Sequence, residues 1–179
     1  KAQVSDILNE NVPMSVYADY AFSRIDATMD DMTVFTNNPK GNVAMLAKDN
    51  GVDASYVAVY KGDSLSFVMG EEMSFATEKL GFNVSADYDD DQEDLLLKWN
   101  PHAGIQLDKA VFSMSDIPMP VYIPSIDFQY DTVGIEIDNS SIVLGNSDFE
   151  LQGTFTNVDE FIRKEALLKG NLDFTSHYT

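Results

Sequence analysis

Alternation of apolar and polar residues is strictest near the end of the chain. Odd positions are apolar between residues 148 and 155, and even positions are apolar between residues 168 and 174. The two apolar sets are Phe149, Leu151, Gly153 and Phe155, and then Leu168, Gly170, Leu172 and Phe174. A side-chain period of two is typical of a strand with one buried and one solvated face. Two such strands are therefore predicted here.

Two glycines stand on the apolar side of these predicted strands, at Gly153 and Gly170. A glycine inside a strand often marks a bend or the close approach of another backbone. We expect both glycines to lie where the sheet curls or where the connecting helix packs.

Strand patterns recur along the rest of the chain. They cover residues 12–22, 43–47, 53–60, 65–69, 73–75, 80–88, 95–99, 105–114, 126–130 and 133–137. About a dozen strands at this spacing predict an all-β, predominantly antiparallel fold. Residues 53–60 are apolar on both sides, which indicates a strand covered on both faces.

Turn signals separate these strands. Residues 37–41 contain Asn, Pro and Gly and predict a turn, and Lys61-Gly62-Asp63 predicts a compact hairpin turn. The prolines at 118, 120 and 124 make the stretch around them a poor central strand, because proline cannot donate to a ladder.

One short helix is predicted near residues 158–165. Asn157 is a suitable N-cap and Glu160 follows three residues later, as in a capping box. A weaker helix signal covers residues 4–9. Residues 1–179 fit one β-rich domain, and we expect that domain to be a fragment of a longer protein. Its sheet is predicted to be strongly curved, forming either an open groove or a sandwich. The alternation is the same in both cases.

Charge and composition exclude some classes of partner and of chemistry. The chain has 30 acidic and 11 basic residues, for a formal net charge of −19. Such a chain repels phosphate backbones, so nucleic acid is not expected as a partner. The absence of cysteine excludes disulfides and thiolate chemistry. No apolar run approaches the roughly 20 residues that span a bilayer, so we expect any membrane anchor to lie outside this sequence.

No residue set predicts catalysis, a cofactor or a metal. The acidic run 87–94 fails the EF-hand pattern, because Gln92 occupies the glycine position and Lys98 the position of the bidentate glutamate. The two histidines, His102 in a predicted turn and His177, are far apart in sequence. Nucleophile-elbow and phosphate-loop motifs are missing. We therefore expect a protein that is not an enzyme.

The two strand patterns at the chain end also follow a longer motif. Residues 148–157 read D-x-x-L-x-G-x-h-x-N, where h is apolar, and residues 168–176 read L-K-G-x-L-x-F-x-S. This tandem resembles the C-terminal region of the AsmA-like family of bacterial envelope proteins, in the version typical of Bacteroidota. That family is related to the TamB-like and chorein-type lipid bridge proteins.

The resemblance implies a function without reaction chemistry. Proteins of this group have curved sheets with a hydrophobic groove, and they are implicated in lipid transfer and outer-membrane homeostasis. By that likeness the chain is expected in the periplasm, joined to the remainder of a membrane-anchored parent protein. Phospholipid acyl chains are the expected partner. The lipid-facing candidates are Phe149, Leu151, Phe155, Leu168, Leu172 and Phe174.

A second hypothesis comes from another class of protein. A secreted or surface-exposed β-sandwich that binds glycan or protein fits the same alternation, with the apolar face sealed as its core. Its binding platform would use aromatic side chains, for which the candidates are Tyr56, Tyr60, Trp99, Tyr122 and Tyr130.

Overall fold

The computed structural model describes residues 15–48 and 53–178. The strands are β1 (Val16–Ala21), β2 (Arg24–Met29), β3 (Met32–Asn37), β4 (Lys40–Ala47), β5 (Ala54–Gly62), β6 (Ser64–Met69), β7 (Met73–Thr77), β8 (Lys79–Tyr88), β9 (Pro101–Met114), β10 (Val121–Tyr130), β11 (Ile135–Leu144), β12 (Ser147–Phe155) and β13 (Gly170–Tyr178). The helices are α1 (Leu95–Trp99) and α2 (Val158–Ile162). Val12, Met14 and the weak helix signal at 4–9 lie outside the described residues.

All these strands belong to one antiparallel sheet, as the alternation predicts. Its main path runs β1-β4-β5-β8-β9-β10-β11-β12-β13, and the ends of this path do not pair to close a barrel. A second path, β2-β3-β6-β7, joins the sheet through β9. Strand β9 therefore pairs with β8 along its first half and with β7 along its second half.

The two paths are halves of the same long strands. β1 continues into β2, β3 into β4, β5 into β6 and β7 into β8, with one or two residues between them. At these interruptions the backbone still bonds to its neighbours, since Asp63 N–H donates to the Asn37 carbonyl at 3.0 Å. Likewise the Glu78 N–H donates to the Asp108 carbonyl at 3.2 Å. We call this line of interruptions across the sheet the break line.

Two predicted turns are therefore wrong. Residues 37–41 and Lys61-Gly62-Asp63 do not reverse the chain but lie on the break line inside long strands. Gly62 still pairs with Leu80 as a regular strand residue. These segments are polar and contain glycine, which suggested turns. Each segment instead accommodates one extra residue within a strand, as in a β-bulge.

The extra residue changes which positions face the same side. In β5 the apolar face takes even positions, such as Tyr56 and Ala58, whereas in β6 it takes odd ones, such as Phe67. A hydrogen-bond contact across the break line, Thr36 Oγ1 to Tyr60 Oη at 2.6 Å, shows that both sets lie on the same side. The same reversal occurs from β1 through β11. One apolar face thus extends over both halves of the sheet.

Strand β10 contains Pro124 although it lies between β9 and β11. The prediction of a poor central strand is therefore wrong, and the register explains why. Ile123 pairs with Ala110 and Ser125 with Asp108, while the ladder skips Pro124 and Lys109 between them. Lys109 has φ of 51° there. Because the break line already interrupts the ladder, the missing N–H of proline is tolerated at this position.

Residues 95–99 form helix α1 rather than the predicted strand. The Asp94 carboxylate accepts hydrogen bonds from the N–H groups of Leu96 and Leu97, at 2.9 and 3.1 Å. This N-cap satisfies donors that the first helical turn leaves free. Strands β2 and β3 had not been predicted. Helix α2 was predicted correctly, and the turns after it continue to Ala166.

The sheet has almost no sealed core. In the described residues, the buried apolar side chains are Pro39, Ala54, Leu107, Ala110 and Val158. Extensive contacts join neighbouring strands of the sheet. Strand β8 also makes a few contacts with α1 and with β6. Residues 53–60 were expected to be covered on both faces, but Tyr56 is exposed there. The fold is a single layer.

Candidate functional site

The candidate site is the apolar face of this layer. Four of the six predicted lipid-facing residues meet at its end, in β12 and β13. Leu151 pairs with Phe174, and Gly153 pairs with Leu172. The rings of Phe149 and Phe174 stack with centroids 5.6 Å apart. Leu172 and Phe174 are 47% and 57% exposed, so no described element covers them.

The other two predicted residues are placed differently. Phe155 ends β12 on the same face, opposite Gly170 of β13. Leu168 precedes β13, which begins at Gly170 rather than at Leu168 as the alternation predicts. The connection leaves Leu168 exposed in a loop whose next residue, Lys169, donates its N–H to the Asn157 side chain at 2.7 Å.

Gly153 and Gly170 both lie where the backbone of the neighbouring strand approaches closely. A Cβ on Gly153 would stand 2.3 Å from the Asn171 carbonyl oxygen, and one on Gly170 would stand 2.3 Å from the Thr154 carbonyl oxygen. Both distances are far inside van der Waals contact. The two glycines therefore allow β12 and β13 to come together at the connection that contains α2.

The other end of the apolar face carries a row of methionines that the sequence reading missed. Five strands each contribute one residue, and the pairs follow in register across β2, β3, β6, β7 and β9. The row is Met29, Met32, Met69, Met73 and Met114. Methionine is flexible and polarizable, so such a row adapts to irregular apolar partners. The signal in the sequence was a methionine on both sides of the β2–β3 and β6–β7 turns and another at the end of β9.

A parallel row of larger side chains lies two positions along the same strands. Phe67 pairs with Phe75, and Phe75 pairs with Phe112. Val34 and Val121 extend this row on either side. Together with the methionines it continues the apolar face to the far end of the strands.

Helix α1 covers one corner of the apolar face. The Trp99 ring lies 5.8 Å from the Tyr56 ring and 4.8 Å from the Tyr88 ring, measured between centroids. The glycan platform expected from the sequence is thus assembled only in part. Tyr60 stacks instead on Phe82, at 5.2 Å.

A charged contact holds α1 in place. Lys98 Nζ lies 2.9 Å from the Asp90 carboxylate, which also accepts a 2.8 Å hydrogen bond from the Tyr88 hydroxyl. The hydrogen bond from Lys98 lowers the pKa of Asp90, and that from Tyr88 adds to the effect. The Asp90 carboxylate in turn raises the pKa of Lys98. The acidic run thus forms a loop, as predicted, and it also anchors the helix.

Helix α2 packs against the same end of the sheet through Val158. The Val158 N–H donates to the Val133 carbonyl at 3.1 Å. Asn157 precedes the helix, but its side chain does not cap it. Its amide instead donates to the Leu167 carbonyl at 3.0 Å. The prediction that the Asn157 side chain caps the helix is therefore wrong. Its hydrogen bonds stabilise the loop before β13 instead.

Clefts on the polar face have charged and amide side chains in their lining. His102 borders one of about 370 Å³ and lies in β9 rather than in the predicted turn. His177 lies at the far end of β13, with Nδ1 3.9 Å from Asp148 Oδ1. The two histidines are therefore far apart in the fold as well as in sequence.

Within 15–48 and 53–178, no three His, Asp or Glu side chains are grouped as a metal site. Over the same ranges, no helix has the length and apolar character required to cross a bilayer.

Comparisons with known protein families, with curated protein sequences and with solved structures find no match to this chain.

Proposed function

We propose that this chain is a non-enzymatic segment of an AsmA-like periplasmic protein, and that its apolar face accommodates phospholipid acyl chains. The motif resemblance at residues 148–157 and 168–176 suggests the family. The open apolar face is the observation that carries the function. A sheet with one apolar face is stable in water only when that face meets another layer, a ligand or a partner.

The dimensions of the face suit acyl chains. Neighbouring strands are about 4.8 Å apart, so the nine strand positions of the main path span about 40 Å. A lipid acyl chain in a bilayer leaflet reaches about 15 Å, since the hydrocarbon core of both leaflets is about 30 Å thick. Several chains can therefore lie on the face at once.

The energetics are also adequate. A fully buried methylene contributes about 0.8 kcal/mol, so one covered on a single side contributes about 0.4 kcal/mol. About fifteen such methylenes contribute about 6 kcal/mol, enough for reversible binding and weak enough for release. This process requires no catalytic group and no cofactor.

Lipid co-purification tests the proposal. The protein is expressed with its membranes, purified without detergent, and analysed by native mass spectrometry and lipid extraction. We expect phospholipid with the natural sequence and much less with Leu172→Asp. The matched control is Asn171→Asp, which adds the same charge one residue away on the polar face and should retain lipid. Absence of lipid from folded natural protein would refute the proposal.

A glycan- or protein-binding module is the second candidate, and the cluster of Trp99, Tyr56 and Tyr88 favours it. Trp99 is the only tryptophan and is 39% exposed. Because sugars stack on aromatic faces, an oligosaccharide that binds there should change the Trp99 fluorescence. Saturable quenching by glycans, together with absence of lipid, would replace the first proposal with this one.

A further inference from the structure

Three lysines face one cleft on the polar side of the sheet, opposite the apolar face. Lys40 of β4, Lys61 of β5 and Lys79 of β8 line a cleft of about 480 Å³. Lys40 and Lys61 are direct cross-strand partners, and Lys61 is the partner of Gly81. Lys79 lies two residues before Gly81 on the same face. The three lysines and Gly81 therefore line the same cleft on the polar face.

Two of these lysines have no neutralising partner. Lys79 lies 3.5 Å from the Asp108 carboxylate. Among the described residues, neither Lys40 nor Lys61 forms an ion pair within 4.0 Å. Like charges directly opposite each other destabilise a sheet. Such a pair is unexpected in a chain with 30 acidic and 11 basic residues, unless an anion lies between the lysines.

The carboxylates at the edge of the cleft are held by other donors. Asp63 accepts a 2.7 Å hydrogen bond from the Asn38 amide. Asp127 accepts one of 3.0 Å from the Gln106 amide. Asp108 is already paired with Lys79. None of the three is therefore directed at the unpaired ammonium groups of Lys40 and Lys61.

Gly81 leaves free space at the base of this site. A Cβ at Gly81 would meet its nearest atoms, the Tyr60 carbonyl oxygen and Lys61 Cγ, at 3.8 and 3.9 Å, which is ordinary contact. Neither crowding nor a positive φ requires glycine there, in contrast to Gly153. Glycine weakens a strand, so its presence below three lysines points to space kept for a ligand.

We propose that Lys40, Lys61 and Lys79 bind a phosphate group above Gly81. Phosphate suits the site because it has about two negative charges at neutral pH and three oxygens that accept charge-assisted hydrogen bonds. The ligand approaches from the polar side. A lipid whose tails lie on the apolar face cannot place its phosphate here, because the sheet separates the two. This proposal is independent of lipid binding by the apolar face.

NMR titration of the full chain with inorganic phosphate, at constant ionic strength, tests the site. We expect saturable shifts of the amides of residues 40, 61 and 79–81. Lys61→Gln should weaken binding at least fivefold, and Gly81→Leu should abolish it without changing the charge. Lys164→Gln removes the same charge in the turn after α2 and should bind as the natural sequence does. Non-saturable shifts, or equal loss in Lys164→Gln, would show general charge screening and overturn the proposal.

Two further ligands distinguish the source of the phosphate group. Glycerol phosphate represents a soluble ester, and vesicles of phosphatidylglycerol represent a lipid headgroup. Saturable binding of glycerol phosphate that Lys61→Gln weakens indicates a soluble or polymer-borne ester. Vesicle binding that Lys61→Gln weakens indicates a headgroup presented to the polar face. Failure of both ligands, with inorganic phosphate also inactive, rejects the site.

Discussion

Small hydroxyl side chains hold the break line together. Thr36 Oγ1 donates to the Ser64 carbonyl at 2.7 Å, and Thr77 Oγ1 lies 2.8 Å from the Asp108 carbonyl oxygen. Ser140 Oγ lies 3.2 Å from the Asp127 N–H. All three residues are buried, although few apolar residues are. Backbone groups that the interrupted ladder leaves free thus find partners in side chains, as buried polar groups require.

Replacing Gly153 or Gly170 by valine should unfold or strongly destabilise the protein. Each new Cβ would lie 2.3 Å from a carbonyl oxygen of the neighbouring strand, so the backbones must separate. Forcing atoms into occupied space costs at least about 1–3 kcal/mol. The control is Gly81→Ala, whose Cβ meets only ordinary contacts. Urea denaturation measures the difference, and unchanged stability of both valine variants would contradict the close approach.

Strands β12 and β13 could be predicted from the sequence because their alternation is long and uninterrupted. The predicted strands at 126–130 and 133–137 pair with each other as parts of β10 and β11, with Phe128 opposite Ile137. The break line could not be predicted in the same way. A one-residue insertion that reverses the alternation resembles a turn locally, since both need polar or glycine-rich residues. Only the cross-strand register distinguishes them.

The candidate site was predictable where its residues lie in strands with uninterrupted alternation. Leu151, Leu172 and Phe174 follow from parity alone, whereas Leu168 was misplaced because alternation continues into the loop before β13. The methionine row joins residues from five strands. Its members are far apart in sequence, so it depends on the long-range pairing that a local pattern does not contain.

Deleting Asp63 should disrupt the sheet more than any substitution at that position. Without the extra residue, Leu65, Phe67 and Met69 would continue the regular alternation of β5 on the apolar face. The neighbouring strands keep their extra residue, however, so β6 would lose its register with β3 and β7. We expect Asp63→Ser, which keeps the length, to fold normally. Circular dichroism and gel filtration would measure both variants. A deletion variant that remains monomeric and folded would show that the break line has no such role.

Helix α1 depends on the charge of Asp90, which makes its docking sensitive to pH. The pKa of Asp90 is lowered from 3.8, so its contribution is present above pH 3.8 and is lost as pH falls through the lowered value. The pKa of Lys98 is raised from 10.5, so its contribution is present below pH 10.5 and is lost as pH rises through the raised value. Docking is therefore expected throughout the range between those limits.

Trp99 reports this docking, since it is the only tryptophan. We expect Asp90→Asn to shift the Trp99 emission to the red at neutral pH, because Lys98 and Tyr88 lose the negative charge of their shared acceptor. Asp91→Asn is the matched control in the same loop and should leave the emission unchanged. The natural sequence should show the same red shift only in strong acid or strong base. Identical spectra for both variants at neutral pH would show that the docking of α1 does not depend on the Asp90 contact.

The sheet as one body leaves many large apolar side chains exposed to water, and this determines how it should respond to amphiphiles. A ligand that binds only the folded chain adds RT ln(1 + [L]/Kd) to stability, which is about 2.7 kcal/mol at one hundred times Kd. We expect the melting temperature to rise with phospholipid or a mild non-ionic detergent below its micelle concentration. A soluble sugar at equal concentration should have no effect.

The response should depend on the apolar face alone. Phe174→Asp introduces a charge among Leu151, Phe149 and the lipid, so it should abolish most of the increase while the β-sheet spectrum persists. Asp173→Asn changes the adjacent residue on the polar face and should keep the full increase. If the natural sequence melts at the same temperature with and without amphiphile, then a protein layer rather than lipid is the natural cover of this face. Crosslinking would then identify that layer.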